Sequence, residues 1–397
     1  MAEWNPFDPA FNANPYPHYR LLRAEDPVYE HPMGFYILTR YDDVTMLLRD
    51  PRFGKRGYEA LLTARFGSEE NTPGLATSML FRDPPDHTRL RSLVSKAFTP
   101  RVVEALRPRI EAIVADLLDR MRGRPRVDLI EDLAYPLPVA VISEMLGVPR
   151  EDREAIKQWS DDLARSLDAI AFASDSDVVA RGSAAGDGLR EYFRALVAER
   201  RGKPGADLIS ALIEAEERGD RLSEAELLST CTLLYVAGHE TTVNLIGNGM
   251  LTLLRHPADM ATLTRQPSLI QSALEELLRY EGPVQRTGRT CNVDLELRGK
   301  KIREGALVVA VLGAANRDPD QFQDPERLDL SRSDNRHLAF GLGIHFCLGA
   351  PLARVEGQIA INALLARFPH LTLAHPEPQW RPSITLRGLE SLPVTLV

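Results

Sequence analysis

The chain has 397 residues, with 48 Lys and Arg against 56 Asp and Glu for a net charge of −8, and it is 44% hydrophobic and 26% charged. That composition supports a large buried core and excludes extensive disorder, while the acidic balance excludes a role built on nucleic acid, which leaves a basic footprint. The three cysteines, Cys231, Cys291 and Cys347, form no CxxC pair, so neither a disulfide framework nor a structural zinc site is expected. Met1 to Pro6 carries no basic segment followed by an apolar core, and no apolar run reaches the ~18 residues of a membrane span. A cytoplasmic protein without an anchor is expected.

In chain order, residues 5–20 are rich in Pro and Asn and read as a surface wrap that leads into a short amphipathic helix ending near Arg23. Pro27–Glu30 and Gly34–Thr39 read as two strands of a hairpin. Tyr41–Arg49 returns to helical spacing and stops at Asp50-Pro51. Gly54–Pro85 is a long segment of mixed polarity containing Leu75, Met79 and Leu80; loops of this length are commonly functional. Asp86 is the expected N-cap of the next helix, on which His87 and Arg91 are four apart and share a face that could hold carboxylates.

Residues 101–217 carry a succession of helical patterns: Val102–Met121, Pro138–Leu146, Asp152–Leu167, Val178–Arg200 and Ala206–Glu217. Ser223, with Glu226 three residues on, is a capping box. The helix it opens continues to about Arg255. Within it, Ala237-Gly238-His239-Glu240-Thr241-Thr242 sets a glycine beside hydroxyl-bearing, β-branched residues that weaken a helix locally, so a gap is expected there. Glu276 and Arg279 are three apart on a further helix and can pair. Strand alternation follows from Arg289 to Leu297, and Gly305–Gly313 is an apolar strand. Pro382–Val397 reads as terminal strands.

Phe340-Gly341-Leu342-Gly343-Ile344-His345-Phe346-Cys347-Leu348-Gly349 then precedes a helical run, Ala350–Arg367. Glycines before and after Cys347 let the backbone turn sharply and lie flat against a planar ligand. The following helix aims N–H groups and the positive end of its dipole at the sulfur, which favours a thiolate. An anionic sulfur in apolar surroundings suits a haem iron ligand.

At these residues the chain resembles the cytochromes P450 of the soluble bacterial type. Ala237–Ile246 and Gly343–Arg354 are most similar to the actinobacterial subgroup that hydroxylates macrolides and other polyketides. The resemblance spans essentially the whole chain and implies one mainly helical domain, residues 1–397, with a small β lobe whose β-rich parts are about 27–39, 289–312 and 371–397. It implies haem b (iron protoporphyrin IX) held between the long distal helix and the proximal helix after the cysteine loop.

Residue by residue, the resemblance makes Cys347 the metal ligand, with Phe340 shielding the sulfur and Gly341 and Gly349 shaping the loop. His345, His87, Arg91 and Arg289 would bind haem propionates, with Arg286 a nearby decoy. Ala237 would face the iron. Glu240 and Thr241 match the family's acid–alcohol pair, in which a hydroxyl donates and accepts while a carboxylate recharges it from solvent; His239 occupies a variable position and receives no chemistry. Glu276 and Arg279 take a buried structural role, with a third arginine left open. The substrate pocket would involve Leu75, Met79, Leu80, Ile170, Leu233, Val236, Gln285, Thr287 and Leu386, and small residues such as Ala171 and Ala173 permit a roomy site.

The implied reaction is insertion of one oxygen atom of O2 into a C–H bond of a hydrophobic molecule, whether macrolide or polyketide, steroid or fatty acid. Electrons would come from a ferredoxin or flavodoxin with its NAD(P)H reductase, docking near Arg101, Arg109 or Arg354 on a monomeric enzyme. A peroxide-driven peroxygenase, a non-catalytic haem-binding protein and a thiol enzyme using Cys347 are the rival readings.

Overall fold

A computed structural model describes residues 4–6, 8–58, 75, 77–170, 176–217 and 222–396. The chain divides into two compact units, one of residues 1–54, 106–137 and 241–397, the other of residues 55–105 and 138–240.

The first unit contains the sheets. In chain order its strands are β1 (Val28–Glu30), β2 (Tyr36–Leu38), β3 (Phe53–Gly54), β4 (Arg126–Asp128), β5 (Arg286–Cys291), β6 (Leu295–Leu297), β7 (Lys300–Ile302), β8 (Leu307–Val311), β9 (Thr372–Leu373) and β10 (Pro393–Thr395). β1 and β2 form the expected hairpin, with Val28 opposite Leu38. The main sheet runs β1-β2-β8-β5-β3; β2 and β8 are parallel and β5 is antiparallel to β8, pairing Gly288 with Val309 and Arg289 with Val308. Alternation places Val28, Leu38, Val308 and Ala310 in one core with Val44, Leu47 and Leu48 from the Tyr41–Arg49 helix. Burial of such side chains is worth about 1.5–3 kcal/mol each, so this core fixes β5 and whatever β5 presents.

The N-terminal wrap is more deeply built in than its composition suggests. Trp4, Phe11, Tyr16 and Tyr19 are buried, with the Trp4 and Tyr19 rings stacked at 5.8 Å and Phe11 edge-on to Trp4 at 5.1 Å. Aromatic surface outweighs the local Pro and Asn content because each ring buries a large apolar area.

The second unit is helical, with helices Asp86–Ser95, Arg153–Ser166, Ser176–Gly202 and Leu208–Glu217. Asp86 does not cap its helix: Pro85 holds the cap position and Asp86 is already helical, so its carboxylate turns to Arg89, 3.1 Å away, instead of to the orphan amides. The capping box forms as expected, with the Glu226 N–H donating to Ser223 Oγ at 3.2 Å and the Ser223 N–H to Glu226 Oε2 at 2.9 Å. The helix it opens, Glu224–Arg255, ends the second unit and re-enters the first. It is helical throughout, and the gap expected at 237–242 is not a break in it. Gly238 serves packing instead, since a Cβ there would come within 2.6 Å of Ile142 Cγ1. Among the described residues, no helix is long and apolar enough to cross a membrane.

Candidate active site

The cysteine loop is built by two left-handed glycines, Gly341 at φ +66° and Gly343 at φ +73°, a region that side chains disfavour. At Gly343 a Cβ would also overlap the Leu48 carbonyl. The loop closes where the Cys347 N–H donates to the Phe340 carbonyl at 2.9 Å. Cys347, half-buried, then lies three residues before the helix Ala350–Arg367, with Gly349 at the cap. A Cβ on Gly349 would lie 4.0 Å from the sulfur. His345, also half-buried, ends the 3-10 turn Gly343–His345.

Behind the loop lies an ionic brace that sequence reasoning missed. Arg354 stacks over the Phe340 ring at 4.5 Å and forks onto Glu275 with bonds of 2.7 and 2.8 Å, while His337 Nε2 meets the same carboxylate at 3.0 Å. Burial alone would raise the Glu275 carboxyl, but Arg354 and His337 outweigh it and hold it down to about 2. Arg354 is kept charged first by Glu275 and, more weakly, by Cys347, so the sulfur has a guanidinium within electrostatic reach. Only the Phe-Gly-Cys spacing was legible; Glu275 looked like one more acid on a helix face.

On β5, Arg289 is buried and its Nη1 donates to the Gly288 carbonyl at 2.8 Å and to Thr287 Oγ1 at 3.2 Å. Arg286 on the same strand is buried as well. Gln285 is occupied inside the protein, accepting from the Tyr19 hydroxyl at 3.1 Å and donating to the Gly282 carbonyl at 2.8 Å. Its backbone N–H bonds the Thr385 carbonyl at 2.9 Å, next to Leu386, which is buried and bridges to Val284. The first unit thus brings Gln285 and Leu386 together, with Thr287 half-buried beyond them.

In the second unit, His87 is 2% exposed and Arg91 half-buried on the Asp86–Ser95 helix. Between them Arg89 turns away to fork onto Glu226 at 2.5 and 3.2 Å. Leu75 and Met79 are buried, Leu80 is half-buried, and Leu233 and Val236 are buried on the long helix. The side chain of Ile170, together with Ala171 and Ala173, lies outside the described residues.

The long helix carries the sharpest pattern. From Leu227 to Leu253 every position is buried except Ala237, Gly238 and Thr241; Ala237 and Thr241, four apart, lie on one accessible strip, while Gly238 packs against Ile142. Glu240, beside that strip, is 5% exposed. Within the first unit, a half-buried thiol at a glycine turn and the buried Arg289 guanidinium are of the kinds that suit a haem iron and a haem carboxylate; the second unit by itself offers the buried His87 imidazole and the half-buried Arg91 guanidinium.

The family model for cytochrome P450 matches residues 27–389. The chain is 47% identical to cytochrome P450 107B1 of Saccharopolyspora erythraea, over 98% of this chain and 96% of that protein. It is 46% identical to the cytochrome P450 monooxygenase PikC of Streptomyces venezuelae, over 97% and 91%. Among solved structures, P450BioI in complex with hexadec-9Z-enoic acid ligated acyl carrier protein superposes with a TM-score of 0.92 at 42% identity, covering 98% of this chain and 99% of that one. A cysteine presented at a glycine turn and a match along nearly the full length have one common explanation: this chain belongs to the cytochrome P450 family, with haem b as its cofactor.

Proposed function

We propose that Cys347 would hold the haem iron of a monooxygenase that inserts one atom of O2 into an unactivated C–H bond of a hydrophobic small molecule, with Glu240 and Thr241 carrying the protons. The chain is a haem-thiolate oxidoreductase of small hydrophobic substrates. Bound haem supplies oxygen activation, tuned by its thiolate ligand. The protein's own residues do the rest. Arg289 and His345 of the first unit, and His87 and Arg91 of the second, are the residues that would hold haem propionates. Phe340 and Arg354 cover one side of the cysteine loop. Thr241 presents a hydroxyl at an accessible position of the long helix, and its chain neighbour Glu240 holds a buried carboxylate; in this reading the carboxylate recharges the hydroxyl with protons.

The observation that supports the relay is the accessible Ala237–Thr241 strip within the otherwise closely buried stretch Leu227–Leu253. A bulky or apolar residue at 241 would close it to protons. Thr241→Ala is expected to keep haem and its thiolate-type Soret band while reducing O2 unproductively, with more peroxide released per NADPH and less product. Product formation at the wild-type yield per NADPH would remove Thr241 from the reaction.

We read residues 1–397 as one functional P450 domain, since the family model spans segments of both compact units. The substrate class is tested by the Soret shift to high spin as macrolides, steroids and fatty acids are added. The acyl-carrier-bound fatty acid of P450BioI supports including acyl chains. A ferredoxin or flavodoxin is the proposed electron donor.

A further inference from the structure

A second acid–base group lies on the hidden side of the long helix. Asp161 and Ser160 come from the helix Arg153–Ser166; His239 and Glu240 come from the long helix. Ligand atoms of Asp161, His239 and Glu240 all lie within 4.8 Å of one another. His239 is 0% exposed, Ser160 1% and Glu240 5%, whereas Asp161 keeps intermediate exposure. The group therefore runs from partial solvent contact to the carboxyl of the residue that precedes Thr241.

The hydrogen bonds of His239 fix its tautomer. Nδ1 lies 2.8 Å from the Tyr235 carbonyl oxygen, which can only accept, so Nδ1 carries a hydrogen in either charge state. Nε2, 3.2 Å from Ser160 Oγ, is then the one nitrogen that gains or loses a proton. Two carboxylates and an imidazole that come within 4.8 Å of one another are close enough to exchange a proton directly or through one hydroxyl. An imidazole with one nitrogen held on a carbonyl and the other on a hydroxyl can carry that proton.

The geometry points to His239 as a proton-supplying residue that acts through Glu240, loading at Nε2 from Asp161 and unloading to the Glu240 carboxylate. This rests on the reading of Glu240 and Thr241 as the relay. In the first transfer the Asp161 carboxylic acid becomes a carboxylate and the ring an imidazolium. In the second the imidazolium returns to neutral, still holding Nδ1–H, and Glu240 becomes the acid. Solvent reprotonates Asp161, so one proton enters per cycle and no charge accumulates. Ser160 steadies Nε2 between transfers, donating to the neutral ring and accepting from the charged one.

The surrounding groups leave this path distinct. Tyr235, on the same helix, is edge-on to the His239 ring at 5.3 Å; burial pushes its hydroxyl up, with Arg153, Asp161 and Glu154 as charged neighbours. The helix Pro136–Leu146 contributes Ile142 against Gly238 and Ser143 beside Tyr235. The helix Ser176–Gly202 contributes the Phe193 ring and Arg181, which pairs with Asp162 at 3.9 Å, one residue past Asp161.

The test uses holoenzyme labelled with ring-13C histidine, reduced and carbon-monoxide-bound so that it is diamagnetic. The resonance missing from His239→Gln is assigned to His239 and followed with pH. We expect the Nδ1–H tautomer and a titration whose midpoint falls by about one unit in Asp161→Asn, because a carboxylate that favours the imidazolium is removed. The same variants are assayed with a surrogate ferredoxin and reductase. Each should release about twofold more peroxide per NADPH above neutral pH and lose the pH dependence of coupling, with haem content unchanged. A His239 signal that does not titrate, or that titrates identically in Asp161→Asn, overturns the inference. So does a wild-type pH profile of coupling in both variants. Thr241→Ala in parallel separates the failures: if it stays coupled, the relay reading is wrong, whereas if it uncouples and the His239 and Asp161 variants do not, only this branch is wrong. Should His239→Gln lose haem, Asp161→Asn and Ser160→Ala decide by the same titration.

Discussion

Arg332 Nε lies 3.0 Å from Glu276 Oε2 and 3.2 Å from Oε1, on a carboxylate already forked by Arg279 with two bonds of 2.8 Å. Glu276 and Arg279 side chains are fully buried, and the carboxylate also accepts from the Asp329 N–H at 2.9 Å and Asn335 Nδ2 at 3.1 Å. Arg279 turns its remaining donors to the carbonyls of Asn316 and Pro325, both at 2.9 Å. One carboxylate thus ties a helix to the irregular segment that leads into the cysteine loop.

Removing one partner of such a cluster strands the others. Glu276→Gln leaves two guanidiniums facing a neutral amide and is expected to cost about 3–5 kcal/mol. Arg332→Ala, which leaves the Arg279 fork intact, should cost about 1–3 kcal/mol. Urea unfolding of the holoenzymes, with haem content per chain, checks both; an Arg332→Ala midpoint equal to wild type would show that the third arginine contributes nothing.

Gly343 and Gly349 separate backbone shape from sulfur access. Gly343→Ala must hold an alanine at φ +73° and push back the Leu48 carbonyl, so a loss of about 1–3 kcal/mol and poor haem retention are expected. Gly349 has φ −81°, and its added Cβ would make only an ordinary 4.0 Å contact with the sulfur. Gly349→Ala should therefore unfold near the wild-type midpoint and act on the Soret band instead. Equal destabilisation of the two variants would sink this distinction.

Local patterns carried most of the legible information. Tyr41–Arg49, the β1–β2 hairpin and the Ser223 capping box stand where the sequence puts them, since each depends on near neighbours in the chain. The Cys347 loop was readable because its glycines answer to backbone angles. Partners distant in sequence were not readable. Arg332 meets Glu276 across 56 residues and Arg354 meets Glu275 across 79, and nothing about an exposed-looking arginine announces which acid it will find. His239 was passed over for the same reason: its Asp161 and Ser160 neighbours arrive from another helix.

The electron donor can be probed through charge. Arg101 and Arg109 are exposed, whereas Arg354 is bound to Glu275 and Phe340 and is poorly placed to greet a partner. With a ferredoxin as donor, Arg101→Glu/Arg109→Glu should slow reduction by about 3–10-fold at low salt and converge on wild type near 0.5 M salt, where the Debye length shrinks to a few ångströms. Stopped-flow reduction at two ionic strengths reads this directly. Unchanged low-salt rates would remove these arginines from the docking surface. Arg354→Glu should instead lose haem, because it sets two anions against each other behind the loop.

Glu356, on the helix after Cys347, is fully buried. Desolvation raises its carboxyl to about 8, opposed by the hydroxyl of Thr242, the neighbour of Thr241. An unfolded glutamate ionises at about 4.3, so the folded state holds a proton that the unfolded state releases between those values. The sign follows: the contribution is fully present below about pH 4.3 and is lost as pH rises towards about 8, at up to ~1.4 kcal/mol per pH unit, then stays flat. Glu356→Gln keeps a neutral side chain of the same shape with nothing to release. It should be more stable than wild type by about 2 kcal/mol at neutral pH, after allowing for relaxation around a buried acid, and by almost nothing near pH 4. Urea midpoints of both holoenzymes from pH 4 to pH 8 would diverge steadily if Glu356 is neutral in the fold. Parallel midpoints would mean that the carboxyl finds a cation or water that lets it ionise as it does in the unfolded chain.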